Sequence, residues 1–407
     1  MNTNIKDEDQ NRHTKQRTTY LILWALCISH LFNDTFQSLI AASYPLLKQS
    51  LLLSFTQIGL IATTFQALSI FQPIVGWYTD KHPHPYSLPI GMSSTLVGII
   101  LLSQAWNFPL ILVSVALIGF GSAVFHPESS RIAYIASGGQ FGLAQSLFQV
   151  GGNAGSSLGP LLAVILIAPY GQKNIAWFGI AVFCAILFMI PIGHWYAGKL
   201  KQIKQPEKKE QKNSNTAHLQ LSKYNVIVSI AILLLLVFSK NVYTVSLTNF
   251  YTFYLIEKFN VSVQYSQFYL FIFLFSVAAG TIVGGPIGDK IGRKYVIWVS
   301  ILGAAPFTLL LPYVDSLWGT CLLTVIIGAV MASSFPAILI YAQELVPGRV
   351  GTIAGLFFGF SFGVGGIASA FLGGLADHGG IESVYDICSF MPLLGIITWF
   401  LPNIRTK

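Results

Sequence analysis

The chain has 407 residues, of which 54% are hydrophobic and only 9% are charged, whereas soluble domains carry roughly 25% charged residues. So few polar side chains could not cover a chain of this length in water. The composition therefore excludes a soluble globular protein and predicts one that spans a lipid bilayer. The formal net charge of +8 is explained below by topology, so we predict no nucleic-acid partner. Four cysteines each lie in an apolar run and are predicted to be reduced packing residues: Cys27, Cys184, Cys321 and Cys388.

Twelve apolar stretches are long enough to span the bilayer, because a helix needs about 20 residues to cross a hydrocarbon core about 30 Å thick. A polar segment rich in Lys, Gln and Asn separates the sixth stretch from the seventh and is predicted to be a flexible linker. We therefore predict an all-α membrane protein of twelve transmembrane helices in two six-helix bundles. The predicted spans are 20–43, 55–78, 87–105, 107–130, 141–168, 175–197, 224–253, 264–286, 295–313, 317–342, 350–375 and 384–402. The predicted domains are a tail (1–19), a bundle (20–198), the linker (199–223), a second bundle (224–402) and a tail (403–407).

The basic residues predict the orientation of the chain, since cytoplasmic loops carry an excess of Lys and Arg. With a cytoplasmic N-terminus, 19 basic residues fall in cytoplasmic segments and only three, Lys48, Lys173 and Lys258, fall in outer loops. We therefore predict that both termini are cytoplasmic. The same distribution accounts for the net positive charge.

Span one carries a carboxylate near the middle of the membrane, where a charge is costly. Asp34 lies one turn after His30 and one turn before Ser38, so the three share a helix face. Loss of hydration disfavours the charged form of such a carboxylate, so that it can take up and release a proton. We predict proton coupling by Asp34 and His30. The alternative is a structural acid paired with a neighbouring helix.

The loop between spans two and three recurs 209 residues later, between spans eight and nine. Such a repeat indicates two like halves of one architecture. In an apolar chain, two like halves suggest a transporter with its substrate path between them. The residues predicted to act in gating are Gly76, Asp80 and Lys81 in the first copy, and Gly285, Asp289, Lys290 and Arg293 in the second.

The residues of this loop are suited to stabilising one conformation of a protein whose two halves move against each other. A carboxylate can face the positive N-terminus of an adjacent helix, and basic residues beside it can pair with acids. The alternative is a turn whose charges only set the topology. The first copy continues with His82-Pro83-His84-Pro85 where the second has Gly-Arg-Lys, so a full ion-pair network is not assured there.

Span four carries a cluster of ionisable residues in its cytoplasmic half. Glu128 and Arg131 lie three residues apart and can pair on one face, and His126 lies half a turn before Glu128. We predict that Glu128 and Arg131 take part in proton coupling and that His126 takes part in substrate binding. A structural pair at the helix end is an equal alternative. Pro127 fits both, since a proline break exposes carbonyls that can line a cavity.

Span five carries a row of amides followed by a glycine pair. Gln149 and Asn153, one turn apart, can face a cavity or another helix, and we predict that they bind substrate. Gly155 and Gly159 lie on one helix face and are predicted to allow close packing, while Pro160 bends the helix.

Span seven, which occupies the place in the second half that span one holds in the first, carries Lys240. A cation near the midplane opposite Asp34 can pair with that acid, or it can receive an anionic substrate when the acid is protonated. We predict substrate binding by Lys240, with Tyr243 one turn further on. The alternative, an ammonium that reaches back to the interface, does not suit a residue in mid-span.

The repeated loop, Gly285-x-x-Gly288-Asp289-Lys290-x-Gly292-Arg293-Lys294 in its fuller copy, resembles the motif at the same two places in the major facilitator superfamily. Gly155-Ser-Ser-Leu-Gly159-Pro160 resembles the span-five motif of the drug/proton antiporters of that superfamily. Two positions depart from the antiporter pattern: Ala163-Val164 replaces a trailing glycine pair, and Val115 stands where span four often has Arg. The resemblance implies transport by alternating access.

A narrower resemblance covers the chain from span one to span eleven. It lies in the stretches His30–Asp34, Phe125–Arg131, Leu143–Ser146, Phe148–Asn153, Tyr251–Leu255, Gly284–Trp298 and Tyr341–Leu345. These stretches are similar to the fosmidomycin resistance group of bacterial efflux carriers. That resemblance implies a bacterial cytoplasmic (inner) membrane protein that exports a small phosphonate antibiotic by proton antiport.

The sequence contains no signature of an enzyme, of ATP binding or of a metal site. We therefore predict a non-enzyme with no cofactor beyond the proton gradient, acting as a monomer on a small-molecule substrate within the lipid bilayer. Two alternatives remain at this point. One is a proton-coupled symporter or facilitator that imports a small metabolite, and the other is a non-transporting membrane sensor on the same fold.

Overall fold

The computed structural model describes residues 18–53, 55–162, 170–204 and 222–404, most of which are helical. Short 3-10 helices occupy Gln172–Ile175, Leu311–Tyr313 and Met391–Phe400. The α-helices of these ranges are α1 (Tyr20–Ser50), α2 (Phe55–Ser69), α3 (Gln72–Lys81), α4 (Ser87–Ser103), α5 (Phe108–Ala136), α6 (Phe141–Leu162), α7 (Ala176–Lys204), α8 (Lys223–Phe259), α9 (Val263–Ile291), α10 (Arg293–Leu302), α11 (Ala305–Leu310), α12 (Leu317–Met331), α13 (Ser334–Leu345), α14 (Val350–Gly379) and α15 (Ile381–Cys388).

Prolines help to divide the predicted spans into shorter helices. Pro73, Pro306 and Pro336 lie in the first turns of α3, α11 and α13, where the proline nitrogen needs no partner within the helix. Pro127 and Pro286 lie inside α5 and α9, which continue past them. Pro127 and Pro336 occupy equivalent places in the two halves, so the repeat keeps the proline but not its effect on the helix.

Eight helical segments of the described chain are long and apolar enough to cross a membrane. The other predicted spans correspond to α1, to α2 with α3, to α6, and to α4, which is apolar but has only 17 residues. Both α1 and α6 carry polar side chains along their length, among them His30, Asp34 and Gln149. The helices that bear much of the predicted site are therefore among the least apolar.

Within the N-terminal half, α6 packs closely against α1 along a row of glycines. A methyl group at Gly155 would overlap the carbonyl oxygen of Leu31, and one at Gly159 would overlap the hydroxyl of Ser38. Small residues allow two helix backbones to approach in this way. The contact agrees with the packing predicted for both glycines, whereas the side chain of Pro160 lies outside the described part of the chain.

The two halves meet where α6 packs against α9 and where α14 packs against α3 and α5. One apolar core fills the N-terminal half and continues into α10, α13 and α14. A second core fills the C-terminal half around the buried rings of Tyr243, Tyr251, Tyr254 and Tyr385. The polar site lies among α1, α5 and α6, beside the surface that faces α14.

Some helices run further than the predicted spans. The linker predicted to begin at residue 199 starts within a helix, since α7 continues to Lys204. Lys48 and Lys258 belong to the last turns of α1 and α8, and because a helix can extend beyond the bilayer, their outer location stays a prediction. The predicted tails and linker fall largely on residues 1–17, 205–221 and 405–407, which lie outside the described residues.

Candidate functional site

The N-terminal half contains a cluster of His30, Asp34 and His126, in which both histidines are buried. The Nε2 atom of His30 lies 3.3 Å from Asp34 Oδ2, and the Nε2 atom of His126 lies 3.5 Å from Asp34 Oδ1. Asn33 donates a hydrogen bond from Nδ2 to Asp34 Oδ1 at 3.0 Å. The structure thus joins the pair predicted for proton coupling to a histidine predicted for substrate binding. We refer to these three residues as the His–Asp cluster.

Backbone and hydroxyl groups contact the Nδ1 atoms of the two histidines. His30 Nδ1 lies 2.7 Å from the carbonyl oxygen of Phe148, which can only accept a hydrogen bond, so this Nδ1 carries a proton and donates it. His126 Nδ1 lies 3.0 Å from the carbonyl oxygen of Ser122 and 3.2 Å from the Ser122 hydroxyl, which can donate or accept, so these contacts allow either tautomer. Each Nε2 faces Asp34 either with its lone pair or with a proton. The cluster can hold protons at these two nitrogens and at the carboxylate.

Gly152 supports this cluster and was not singled out from the sequence. A methyl group at Gly152 would come within 2.5 Å of His30 Nε2 and 2.8 Å of Asp34 Oδ2. The ring of Phe148, one turn earlier in α6, stacks on the His30 ring with 4.0 Å between their centres. The sequence does contain the pair Gly151-Gly152, but it does not say which helix these glycines face.

Lys240 does not pair with Asp34, which corrects one of its two predicted uses. Among the described residues, no carboxylate forms an ion pair with Lys240. The Asp34 carboxylate is contacted instead by two imidazoles from its own half. The Lys240 Nζ lies instead 5.9 Å from the centre of the Phe335 ring. The other predicted use, binding of an anionic substrate, stays a prediction.

Two phenylalanines fill the space between Lys240 and the His–Asp cluster. The ring centres of Phe335 and Phe358 lie 5.0 Å apart, and that of Phe358 lies 5.0 Å from the ring centre of His126. The two polar centres are thus separated by an apolar layer contributed by α13 and α14.

Tyr243 lies beside Lys240 at a small cavity among α8, α9 and α12. The cavity volume is about 20 Å³, which is room for one water molecule. The Tyr243 hydroxyl is buried and has no hydrogen-bond partner among the described residues. The cavity is therefore far too small for a drug-sized molecule in this state.

Asn153 and Gln149 differ in what they contact. Asn153 Nδ2 donates a hydrogen bond across the two halves to Thr281 Oγ1 at 3.1 Å. The Oε1 atom of Gln149 is buried and lacks a partner within the described chain. Both were predicted to bind substrate. In this state Asn153 links α6 to α9, and Gln149 has a buried acceptor without a described partner.

Asp80, near the end of α3, binds the N-terminus of α14 in the other half. Its carboxylate accepts hydrogen bonds from Gly351 N at 2.9 Å, from Thr352 N at 2.8 Å and from the Thr352 hydroxyl at 2.7 Å. The first N–H groups of a helix lack partners inside the helix and carry partial positive charge. A methyl group at Gly76 would overlap the carbonyl oxygen of Gly351, so only glycine permits this approach. We call the contact of Asp80 with Gly351 and Thr352 the first latch.

Asp289, near the end of α9, binds the N-terminus of α6 in the same manner. Its carboxylate accepts hydrogen bonds from Gly142 N at 2.9 Å and from Leu143 N at 3.0 Å. Arg293 Nη2 lies 2.7 Å from Asp289 Oδ1 and 3.3 Å from Glu344 Oε1. We call the contact of Asp289 with Gly142 and Leu143 the second latch.

Arg131 and Glu128 lie at the first latch and not at the His–Asp cluster. Arg131 Nε lies 3.7 Å from Asp80 Oδ1, and its Nη1 lies 3.7 Å from Glu128 Oε1. Arg131 also donates a hydrogen bond to the carbonyl oxygen of Thr79. The predicted pairing of Arg131 with Glu128 is confirmed, but the structure does not bring them into contact with Asp34. The first latch thus has the arginine that its own loop sequence lacks.

The remaining residues predicted for gating lie at the edge of the latches. Lys81 is exposed, and its ammonium lies 4.0 Å from the centre of the Trp77 ring. Lys290 is exposed at the end of α9, and the surroundings of Gly285 lie outside the described part of the chain. The carboxylates and glycines of the two latches make contacts between the halves.

Comparison with known proteins identifies the family of this chain. The model of the Major Facilitator Superfamily matches residues 26–256 and 234–407. The fosmidomycin resistance protein of Escherichia coli (strain K12) is 57% identical over 395 residues, covering 97% of this chain and 96% of the relative. An uncharacterized MFS-type transporter of Bacillus subtilis (strain 168) is 42% identical over 387 residues, covering 95% of this chain and 94% of the relative.

Solved structures support the same fold. The Escherichia coli fucose:proton symporter FucP, solved in the outward conformation, superposes with a TM-score of 0.72 at 15% sequence identity. The superposition covers 95% of this chain and 100% of FucP, and at this identity it shows the fold alone. It confirms the predicted all-α membrane fold. The chain belongs to the major facilitator superfamily and is a multi-pass membrane transporter of small molecules, not an enzyme.

Proposed function

We propose that this transporter exports a small anionic antibiotic of the phosphonate type in exchange for protons. The fosmidomycin resistance protein, which is similar to this chain along nearly its whole length, supports the substrate class. Polar groups within the membrane support an ionic substrate, because such groups are costly unless they bind something. Exchange would proceed by alternating access, in which the two halves move against each other around the site.

The observation that carries the proposal is the division of charge between the halves. The N-terminal half holds the His–Asp cluster, and the C-terminal half holds Lys240 behind the rings of Phe335 and Phe358. Phosphonate oxygens accept charge-assisted hydrogen bonds, so they suit the ammonium of Lys240. Protons suit the cluster. No described ion pair joins Lys240 to the His–Asp cluster. Lys240 can therefore bind and release the substrate while the cluster binds and releases protons.

Coupling would arise from the two latches. With both formed, the halves are closed at the end that the basic residues assign to the cytoplasm, so the described state would face outward. Protons entering from outside would reach Asp34. A proton bound there shifts the equilibrium between the outward-facing and inward-facing states only if it binds one of these states more tightly. Release of Asp80 and Asp289 would then open the cytoplasmic side. On this proposal both termini are cytoplasmic, the membrane is the bacterial inner membrane, and a monomer suffices because one chain holds every group named.

Asp34→Asn tests the proton coupling. In proteoliposomes with an imposed pH gradient, we expect the wild type to transport fosmidomycin and Asp34→Asn to lose the pH-driven component, because its amide cannot exchange a proton. The matched control is Asp315→Asn, whose side chain is 95% exposed. Transport by Asp34→Asn that still follows the pH gradient would refute the role of Asp34. Absence of any fosmidomycin flux in the wild type would refute the substrate, and net import would favour the symporter alternative.

Lys240→Gln tests the anion site separately. Loss of a hydrogen bond to a charged group costs about 1.5–3 kcal/mol, so the KM for fosmidomycin should rise about 10- to 100-fold while pH-driven coupling remains. Lys258→Gln is the control, since Lys258 donates to the carbonyl oxygen of Pro312 near the end of the same helix. An unchanged KM in Lys240→Gln would exclude Lys240 from the substrate site.

A further inference from the structure

We propose that His30, Asp34 and His126 also form a binding site for a divalent transition-metal ion, for which Zn²⁺ is the test ion. The cluster offers two imidazole nitrogens and one carboxylate oxygen, all within 4.8 Å of one another. These are ligand types that Zn²⁺ takes in proteins. The sequence predicted no metal site, because His126 lies 92 residues after Asp34 on a different helix. Only the packing of α1 against α5 brings the third ligand to the other two.

The separations in the cluster suit a tetrahedral ion. Zn²⁺ binds imidazole nitrogen at about 2.0–2.1 Å and carboxylate oxygen at about 2.0–2.2 Å, so neighbouring ligand atoms of a tetrahedral site lie about 3.4 Å apart. His30 Nε2 lies 3.3 Å from Asp34 Oδ2 and His126 Nε2 lies 3.5 Å from Asp34 Oδ1, so each histidine is at this spacing from a different oxygen of the carboxylate. One ligand atom from each residue lies within 4.8 Å of the other two, so a movement of about 1 Å or less by a ring or the carboxylate would bring the three atoms to tetrahedral spacing.

The hydrogen bonds of the two histidines also match those of metal ligands. A ligating histidine typically donates its other ring N–H to a carbonyl or carboxylate, which fixes the ring and leaves a lone pair for the metal. His30 does this toward the carbonyl oxygen of Phe148, and His126 does so toward that of Ser122 in the tautomer whose Nδ1 carries the proton. In that tautomer two nitrogen lone pairs and a carboxylate converge on one space. This convergence of acceptors favours a cation, either protons or a metal ion.

The surroundings leave one coordination position open. The side chains of His30 and His126 are 3% and 1% exposed, whereas that of Asp34 is 15% exposed, so the cluster is approached from the side of Asp34. Among the described residues, no Lys or Arg forms an ion pair with Asp34, and Lys240 lies behind the rings of Phe335 and Phe358. No basic side chain in contact therefore competes with the metal. Three protein ligands with a fourth position for water are the arrangement of an accessible zinc site.

A bound ion would connect α1 to α5 within the N-terminal half. It would bind the folded protein and not the unfolded chain, so it should raise the unfolding temperature in proportion to the logarithm of its concentration above Kd. The inference does not depend on the transported substrate, because binding is measured on the purified protein at rest. If no metal binds, the proposed export still stands. If the transporter does not export the proposed substrate, the proposed metal site still stands.

The experiment is titration of the detergent-purified, tag-free full chain with Zn²⁺, followed by calorimetry and by thermal unfolding. We expect one ion per chain and a rise in unfolding temperature. The variants Asp34→Asn and His126→Gln should each weaken binding by at least about 10- to 100-fold, the loss that follows even from changes to the partners of metal ligands. His194→Gln is the control, because His194 is an exposed histidine outside the cluster.

The loop histidines provide a second control, because His82 and His84 are both exposed and could bind Zn²⁺ at the surface. The double variant His82→Gln/His84→Gln should bind as the wild type does. Titration of the wild type with Co²⁺ gives a readout that needs no variant to fold, since a tetrahedral nitrogen and oxygen site produces strong visible absorption and an octahedral surface site does not. Binding that survives Asp34→Asn, disappears with the loop histidines, or lacks the tetrahedral Co²⁺ spectrum would overturn the proposal.

Discussion

The two latches are built alike but draw their arginines from different places. In the second latch, Arg293 follows Asp289 by four residues and pairs with it directly. In the first latch, Arg131 reaches Asp80 from α5, because His84 stands at the place equivalent to Arg293. The comparison teaches that the repeat fixes the carboxylate at a helix N-terminus, where geometry is strict. The guanidinium can come from any neighbouring helix, because an arginine side chain is long enough to contact the carboxylate from several positions.

The latches also differ in burial. The side chains of Glu128 and Asp80 are 0% and 9% exposed, whereas those of Asp289 and Glu344 are 19% and 23% exposed. Charges that are withdrawn from water depend more on their partners, since water cannot replace a lost ion pair. The first latch should therefore tolerate loss of its arginine less well than the second.

The largest effect is expected from Arg131→Gln. It leaves the buried carboxylate of Glu128 without its cation, which costs about 3–5 kcal/mol of stability. Arg293→Gln should cost about 1 kcal/mol or less, because Asp289 and Glu344 are partly hydrated. Unfolding temperatures of both variants in detergent measure the difference.

The double variant Arg131→Gln/Glu128→Gln separates charge from packing. It removes the uncompensated carboxylate, so it should recover most of the stability lost in Arg131→Gln. Equal losses in Arg131→Gln and Arg293→Gln would show that burial does not distinguish the two latches.

A smaller effect is expected from Gly76→Ala, which acts on closure rather than on charge. Its methyl group would overlap the carbonyl oxygen of Gly351, and overpacking of this kind costs about 1–3 kcal/mol. The first latch should then open more often. A reporter cysteine at the buried Ser130, which bonds to Gln343 of the other half, should react faster with an impermeant maleimide added from the latch side.

Gly363→Ala is the matched control for this experiment. Gly363 lies in α14, and a methyl group there would meet nothing within 4 Å. Its labelling rate should equal that of the parent protein. Equally slow labelling of Gly76→Ala would mean that the crossing of α3 and α14 does not limit opening.

The smallest effect is expected from Thr352→Val, which makes the first latch resemble the second. It removes the hydroxyl bond to Asp80 and leaves the two backbone bonds in place. The loss should be about 0.5–1.5 kcal/mol, seen as a modest rise in labelling of the same reporter at Ser130. Leu143→Val is the control, since Leu143 contributes only its backbone N–H to the second latch. A Thr352→Val rate equal to that of the control would mean that the hydroxyl adds nothing to the first latch.

Much of the scaffold could be predicted because it depends on properties read along the chain. Hydrophobic length predicted where the helices lie, and the 209-residue repeat predicted two halves with an aspartate at each latch. The pairing of His30 with Asp34 was also accessible, since residues four apart share a helix face. Helix ends were less accurate, as α7 and α8 show, because polar residues continue a helix once it has left the membrane.

The partners across helices could not be predicted. His126 contacts Asp34 although 92 residues separate them in the sequence. Arg131 contacts Asp80 and not the His–Asp cluster. Gly152 became informative only when its neighbour proved to be the His30 ring. Each of these contacts depends on the rotation of one helix about its axis relative to another, and a single sequence does not specify that rotation.

The sequence by itself determined that this protein spans a membrane in two like halves, with an acid-bearing span in one and a lysine-bearing span in the other. Those conclusions rest on hydrophobic length, on the repeat and on helical spacing, all of which are local. Only the tertiary structure decided that Lys240 and Asp34 are kept apart by Phe335 and Phe358, and that Arg131 completes the first latch. The reason is physical: which charges meet is determined by how packed helices are rotated and how closely glycines let them approach.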